Sequence, residues 1–581
     1  MTCFSHTYRI ARVKEASRKG QMIINELRAI QHRFGYIPEK ELQQLSARIR
    51  VPVYELYGVA SFYPHFRLQP PPPVEIHICA DMPCHLHGCD QLRRQVNQMV
   101  RDQHAEGVVV RPVSCLGQCD GAPAFAVNDH IYARKSIDEA LELAGAAIRG
   151  NLPEPQKFPP LNRRFLTDPY ADERERYGAV KTLISSRDLT GTIEKLKAAN
   201  LKGMGGAGFG AGLKWELVRN ASAGEKYVIC NADESEVGTF KDREIMKNLP
   251  YLLIEGMIAA GVVTGAQRGI IYIRHEYEEQ IEILQQEIAR ARGDGLIGKN
   301  LLGSGMNFDL EVFVSPGGYI QGEESALLEA IEGRRGQPRN KPPFPVTNGL
   351  WNKPTVINNV ETLCYVPVIL IKGAEWFKAQ GAPDFTGLKW VAVSGHVNNP
   401  GVFEIPMGTP ASRVIFELAG GISGGRKMKA FAPSGPSSGF LPASMADIPL
   451  DFKTLAQAGA MLGSGAIVAI AEGTCMIDLA LNEVRFYRNE SCGKCVPCRV
   501  GSQKMVDIIY GITHGSGTKE DLETIHRLAD TLLMTSICGL GQVVANPITS
   551  VIKHFPQEVE EHMVRRTCPS GTCFKAEGSL Q

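Results

Sequence analysis

A chain of 581 residues has room for about four domains, and 44% hydrophobic against 22% charged residues is the composition of a folded protein, not a disordered one. Its 63 Lys+Arg balance 62 Asp+Glu, and a formal net charge of +1 gives no support to a nucleic-acid or polyanion binder. The 15 Cys are too dilute for a disulfide scaffold, so their spacing matters more than their number.

The opening stretch, MTCFSHTYRIARVKEASRKG, has no apolar run that could serve as a signal-peptide core. Its basic, acid-poor composition is only a faint likeness to an organellar transit peptide. Nowhere is there a run of roughly 18 apolar residues; the best candidate, Tyr251 to Ala266, is broken by Glu255. The chain therefore reads as cytoplasmic, with its Cys as reduced thiols or metal ligands.

In chain order, residues 1–73 are expected to form a helical bundle, with Ile23, Ile24, Leu27 and Ile30 on one face. Pro70 to Pro73 is a stiff connector. Residues 74–150 then alternate strand (74–79), helix (91–100), strand (107–113) and helix (137–148). Residues 151–174 are Pro-rich and charged, a linker pattern. Residues 175–385 read as an α/β domain, with strands at 227–232 and 269–274. Residues 386–465 are β-rich and open on WVAVSGHV. Residues 466–581 are helical, with apolar residues three and four apart at Met505, Ile508, Ile509 and Ile512 and again at Leu522, Ile525, Leu528 and Leu532.

The Cys fall into groups. Cys79 and Cys84 follow one strand, and Cys115 and Cys119 follow another. Zinc more often takes C-x2-C pairs, and the looser x4 and x3 spacings suit a [2Fe-2S] rhomb; buried structural Cys are the alternative. Cys89 lies outside the pairs and reads as a non-ligand. Cys492, Cys495 and Cys498 form C-x2-C-x2-C, which wraps three corners of a [4Fe-4S] cube, and Cys538 in TSICGLGQ is the expected fourth ligand. Cys3, Cys230, Cys364 and Cys475 are isolated and read as incidental or buried thiols. Cys568 and Cys573 form a C-x4-C pair near the end of the chain. No partners for a third metal site are apparent, and the pair stays unassigned.

Residues 203–212, GMGGAGFGAG, run into Lys214, and glycines of this kind let a phosphate or flat ring approach the backbone. The run matches neither a P-loop nor a dinucleotide fingerprint, and alone it could be a flexible loop. Amides and carboxylates at a strand end follow in Asn231, Asp233, Glu234 and Glu236. Glu323-Glu324 follows GGYIQG, Lys341-Pro-Pro-Phe344 makes a rigid turn, and Asn358-Asn359 precedes Glu361.

The runs GMGGAGFGAGLKW, NADESEVGTFKDR, GGYIQGEESAL, KPPFPVTNGLWNKPTVINNVETL and ESCGKCVPCR…SICGLGQ together resemble the NADH-oxidising flavin subunit of respiratory complex I. The first 150 residues resemble its thioredoxin-like [2Fe-2S] companion, here fused to it. The resemblance implies a multidomain α/β and α+β fold. Its parts are a helical and thioredoxin-like [2Fe-2S] module, a Rossmann-like FMN domain, a ubiquitin-like β-grasp insert and a helical [4Fe-4S] domain. It implies FMN contacts from Gly203, Gly205, Gly206, Lys214, Asn231, Asp233, Tyr319, Gly322, Glu323, Asn358 and Asn359. It implies NAD(H) contacts from Phe209, Glu236, Glu324, Lys341 and Phe344, with Glu236 and Glu324 near the nicotinamide and no side chain needed as acid, base or nucleophile. Gln321 stands where relatives often have Cys, and Gly210-Ala211 replaces Pro-Thr.

The family implies a diaphorase subunit that moves electrons between NAD(H), FMN and the clusters. Within it, the stretch GFLPASMADIPLDF (439–452) and the complete N-terminal Cys pairs look most like the β subunit of NAD-dependent formate dehydrogenase. Its expected partner is a catalytic subunit with further iron–sulfur clusters and a molybdenum or tungsten cofactor. The alternatives are the diaphorase of an NAD-reducing hydrogenase, a fused complex I module, or a non-catalytic iron–sulfur scaffold. The tail resembles a junction into an extra ferredoxin domain of electron-bifurcating relatives, which a chain ending at 581 would lack.

Overall fold

The structure is a computed structural model, and it describes residues 23–161 and 163–574. The readings of the opening stretch, of Cys3 and of the last seven residues lie outside the described residues.

Residues 74–150 fold as a four-stranded sheet. Strands β1 (Val74–Cys79), β2 (Val108–Val113), β3 (Phe125–Val127) and β4 (His130–Tyr132) lie in the order β2-β1-β3-β4. β1 and β2 are parallel, and the remaining pairs are antiparallel. Helices Cys89–Asp102 and Ile137–Ile148 cover it, the latter started by a Ser136/Glu139 capping box.

The central sheet contains β5 (Tyr227–Ala232), β6 (Arg268–Arg274), β7 (Asp309–Ser315) and β8 (Thr355–Asn359), all parallel, in the order β7-β6-β5-β8. An all-parallel sheet must be covered on both faces. Alternate residues divide accordingly. Val228, Cys230, Ile271, Ile273 and Val356 face the main core with helices Pro250–Thr264 and Val360–Lys372. Tyr227, Ile229, Ile270, Tyr272 and Ile357 face a second cluster. That second cluster is built by the N-terminal helices: Ile24, Leu27, Leu45 and Leu56 pack on the outer face of the central sheet. The Tyr63 hydroxyl donates to the Arg334 carbonyl at 2.6 Å, and Arg335 Nε donates to the Gly58 carbonyl at 2.7 Å.

Residues 151–161 and 163–170 form no helix or strand, yet they are a strap packed on the core, not a free linker. Phe165 and Tyr170 are buried, and Trp390 Nε1 donates to Thr167 Oγ1 at 3.0 Å. Strands β9 (Leu388–Gly395), β10 (Gly401–Pro406), β11 (Met428–Pro436), β12 (Leu441–Pro442) and β13 (Ala466–Ala471) form a mixed sheet in the order β10-β9-β13-β11-β12, with β9 and β13 parallel at its centre. Helices from Met476–Glu490 to Pro556–Glu560 close the chain. Met505, Ile508, Ile509 and Ile512 are buried; Ile525 and Leu532 are the buried members of the second predicted stripe.

No single described helix is long and apolar enough to cross a membrane; Lys241–Asn248 and Pro250–Thr264 pass together but bend by 93°. Helix Pro250–Thr264 lies within the core, and Glu255 on it is satisfied there. Both its carboxylate oxygens accept from the Tyr170 hydroxyl at 2.8 Å, and Oε1 accepts from Val180 N at 3.0 Å. Burial nevertheless pushes its pKa up to about 7. A carboxyl raised in the folded state contributes stability that is full below its unfolded value and is lost as pH rises through about 7. Glu255→Gln removes that titration. Between pH 6 and pH 8 the wild type should lose roughly 1 kcal/mol more stability than the variant. Thermal melts at the two pH values check this, and equal losses in both proteins would contradict it.

Candidate functional site

In the sheet order β7-β6-β5-β8 the direction of winding reverses at β5, so a crevice opens outside the carboxyl ends of β5 and β8, where open α/β sheets bind ligands. Asn231 lies near the end of β5 and Asn358-Asn359 ends β8, with Asn231 opposite Asn359 in register. Asn231 Nδ2 donates to the Gly322 carbonyl at 2.8 Å, drawing the GGYIQG turn to the same place. Trp215 Nε1 donates to Asn358 Oδ1 at 2.8 Å, Lys214 Nζ donates to the Ile357 carbonyl at 2.8 Å, and Met204 N donates to Thr362 Oγ1 at 2.8 Å. These bonds seat the glycine-rich loop, and the helix Ala211–Asn220 that follows it, against the end of β8.

The residues present fit a flavin. At Gly206 the backbone has φ +136°, and a Cβ there would meet nothing within 4 Å, so the loop is open at this point. Asp233 is buried, its Oδ1 has no hydrogen-bond partner, and burial raises its pKa to about 7. Burial also lowers the Lys214 pKa. Phe209 and Phe344 are 45% and 53% exposed, high for aromatic rings, and Lys214 Nζ lies 5.9 Å from the Phe209 ring.

Several motif residues also have local structural roles. Glu323 Oε2 caps helix Glu324–Ile331 by accepting from Ser325 N and Ala326 N at 2.8 and 2.9 Å. Asn359 Oδ1 caps the next helix through Glu361 N at 2.9 Å. Lys341 Nζ is held between Glu323 at 2.9 Å and Glu324 at 2.7 Å. Glu236 accepts from the Tyr319 hydroxyl and from Ser437 N of the β-rich domain. Gln321 is fully buried, with its Nε2 3.4 Å from the Gly336 carbonyl. A Cβ on Gly336 would lie 2.1 Å from Gln321 Oε1, so only glycine fits beside that side chain.

Cys79, Cys84, Cys115 and Cys119 are all buried, with the Cys115 and Cys119 sulfurs 3.3 Å apart. Ala124 N donates to Cys84 Sγ at 3.3 Å and Gly117 N to Cys115 Sγ at 3.4 Å, the kind of backbone donors that a thiolate-bound cluster uses. Contact with neighbouring thiols drives Cys79 and Cys119 well above and Cys115 well below the ordinary thiol value. Cys89 opens helix Cys89–Asp102 nearby. The second set, Cys492, Cys495, Cys498 and Cys538, lines one small pocket with Ile320, Pro338 and Leu540. Cys495 and Cys538 each stand at the amino end of a helix. Both sets fit iron–sulfur clusters by number and convergence of thiols; the first is buried, and in the second only Cys498 is buried while the other three are half-buried.

Sequence reasoning missed the residues that join these sites. Arg243 Nη1 donates to the Gly117 carbonyl and to Gln118 Oε1 at 2.6 Å, and Arg274 Nη2 donates to the Cys115 carbonyl at 2.6 Å. Glu490 accepts from Ser114 Oγ at 2.5 Å and from Tyr319 N at 2.7 Å. Arg243 and Glu490 stood inside quoted motifs, but nothing in their spacing marks their long-range partners. The tail pair Cys568/Cys573 is also corrected. Cys475, read as isolated, and His562 lie beside it.

Four family models match the chain. They are the thioredoxin-like [2Fe-2S] ferredoxin over residues 9–146, the Nuo51 FMN-binding domain over 196–368, the SLBB domain over 390–441, and the NADH-ubiquinone oxidoreductase-F iron-sulfur binding region over 478–562. The second F-type subunit of the NADH-quinone oxidoreductase of Rhizobium meliloti is 43% identical over 393 residues, which are 68% of this chain and 93% of that protein. This chain belongs to the family of NADH-quinone oxidoreductase F-type subunits. The NADP-reducing hydrogenase subunit HndC of Solidesulfovibrio fructosivorans is 41% identical over 66% of this chain and 78% of its own. A chain of the NAD+-reducing [NiFe]-hydrogenase in its H2-reduced state superposes with a TM-score of 0.83 at 32% identity, covering 92% of both chains. The expected fold class is therefore observed, and FMN, NAD(H), [2Fe-2S] and [4Fe-4S] are the cofactors of an NADH-oxidising subunit.

Cys495→Ser should abolish the EPR signal of the [4Fe-4S] cluster and lower iron from about six to about two atoms per chain, with FMN retained. Survival of the signal would remove Cys495 from the ligand set.

Proposed function

We propose that the crevice at the ends of β5 and β8 holds FMN on Gly203, Gly205, Gly206, Lys214, Asn231, Asp233, Tyr319, Gly322, Glu323, Asn358 and Asn359. NAD(H) enters beside it against Phe209, Phe344, Lys341, Glu236 and Glu324. The observation that carries this reading is the convergence of four distant segments on the sheet's switch point, with an open glycine loop and an unpartnered buried carboxylate oxygen there. FMN, when bound, couples hydride exchange with NAD(H) to clusters that take single electrons.

The protein's part is to position and to exclude water. Hydride transfer needs no acid or base from a side chain. Lys214, in the first turn of helix Ala211–Asn220, would offer its ammonium to a flavin phosphate together with the amino end of that helix. The half-exposed Phe209 and Phe344 rings provide faces on which a nucleotide base or nicotinamide stacks. Lys341, held by two carboxylates, is a cation that a nucleotide phosphate recruits from them. Glu236 is fixed by Tyr319 and Ser437, so it presents one orientation to whatever lies in the crevice.

The partner this reading assigns is a formate-oxidising subunit with a molybdenum or tungsten cofactor. Its support is the likeness of residues 439–452 to that group and the complete N-terminal Cys set. That stretch ends at Phe452, whose ring would stand 3.2 Å from a Cβ placed on Gly208 of the glycine loop. A second reading, a hydrogen-oxidising partner, is favoured by the match of the whole fused chain to the [NiFe]-hydrogenase structure.

Gly206→Val strains the backbone and fills the open point of the loop. FMN content and NADH-driven dye reduction should both fall at least about tenfold with iron content kept, since the clusters lie on other segments. Stoichiometric FMN in the variant would overturn the cradle. Metal analysis of the complex that copurifies with the full chain tests the partner. Molybdenum or tungsten supports the formate reading, and nickel replaces it with the hydrogenase one.

A further inference from the structure

A third group of sulfur and nitrogen ligands lies outside both iron–sulfur sites. Cys475 is the N-cap of helix Met476–Glu490, His562 lies in the terminal turn Glu561–Arg565, and Cys568 and Cys573 lie in the segment that follows. One ligand atom from each of the four falls within 4.8 Å of all the others. Cys475 Sγ is 3.7 Å from Cys573 Sγ and 3.4 Å from His562 Nε2. Cys475 and His562 are buried, and the two tail thiols are half-buried.

Three thiols and an imidazole make a poor hydrogen-bonded cluster, because a thiol is a weak donor and a weak acceptor. They make a good metal site. With Zn–S of about 2.3 Å and Zn–N of about 2.0 Å, a tetrahedron has S–S edges of about 3.8 Å and S–N edges of about 3.5 Å. The two edges quoted above lie close to both values. His562 is also oriented from behind. Its Nδ1 lies 2.9 Å from the Glu558 carbonyl and donates to it, which leaves the Nε2 lone pair facing the sulfurs. Asp478 N donates to Cys475 Sγ at 3.5 Å, as a backbone amide supports a thiolate ligand. A polynuclear cluster would spread the thiolates over different irons, wider than these four atoms stand. Four protein ligands leave no open position, which marks a structural site and not a catalytic one.

We propose that Cys475, His562, Cys568 and Cys573 bind one zinc ion that fastens the carboxyl-terminal segment to the start of helix Met476–Glu490. The ligands bridge 98 residues of chain, so the ion closes a large loop at the end of that helix opposite the Cys492 cluster loop.

The test is elemental analysis of the full-length protein, purified with its clusters and without added chelator. The wild type should contain about one zinc per chain beside about six irons. Cys573→Ser and the double variant Cys568→Ala/Cys573→Ala should hold less than about a tenth of that zinc, with iron and FMN unchanged. Cys364→Ala, a buried thiol elsewhere, should keep it. X-ray absorption at the zinc edge of the wild type needs no variant, and should show three sulfurs and one nitrogen. Zinc-free wild type, zinc unaffected by both tail variants, a shell of other composition, or iron in place of zinc would each overturn the proposal.

Discussion

One half-buried carboxylate sets the mutual position of the redox sites. Glu490 accepts from Ser114, next to Cys115 of the first thiol set, and from the backbone of Tyr319 in the flavin turn. It stands two residues before Cys492 of the second set. Burial raises its pKa, and the two donors offset that cost only in this geometry. If the loop of Cys115, the flavin turn or the loop of Cys492 moved alone, the carboxylate would lose a partner. Arg274 works in the same direction. It donates to the Cys115 carbonyl, to the Glu234 carbonyl and to Glu276, binding the cluster loop to the strand end where the flavin crevice begins.

A fully buried charge group ties the crevice to the β-rich domain. Glu361, on the helix after Asn359, is fully buried between Lys241 at 2.9 Å and Lys389 at 2.6 Å, and also accepts from Trp390 N at 2.8 Å. The paired lysines hold its pKa below the usual range against burial, while burial lowers Lys389 to about 8. Such a group adds little net stability, but removing one member costs about 3–5 kcal/mol because a charge is left buried and unpaired. Its effect is geometric. Lys241 and Asp242 also reach Asn359, so the crevice amide and the β9 strand share one fixed ion group.

What the sequence made legible follows from where the chemistry is local. The proposed cluster ligands are legible because Cys492, Cys495 and Cys498 sit at short spacings, and the proposed crevice is legible because glycines and terminal amides cluster along single strands and loops. The N-terminal helices were read as helices, but an amphipathic face carries no label for its partner, and theirs proved to be the outer face of the central sheet. Gln321 was noted as a departure, yet its tight fit against Gly336 depends on residues 15 apart in sequence meeting in the fold. Cys475 and His562 were invisible as ligands because 87 residues separate them and neither lies in a spaced motif.

Helix Met476–Glu490 then acts as a strut. It has 15 residues, so it is about 22 Å long. Cys475 stands at one end and Glu490 at the other. Between them Asp478 pairs with His85 at 2.8 Å, and Asn482 Nδ2 donates to the Ala80 carbonyl at 2.8 Å, both on the segment around Cys79 and Cys84. Phe486 packs on Tyr319 of the flavin turn with ring centres 5.0 Å apart. Each contact is made by a different turn of one rigid element, so the separations between the two thiol sets and the crevice follow from helix geometry and not from the flexible loops that carry the ligands. Electron transfer between fixed centres depends on such separations. Fusion of the thioredoxin-like module to the flavin chain keeps all three sites on this one scaffold.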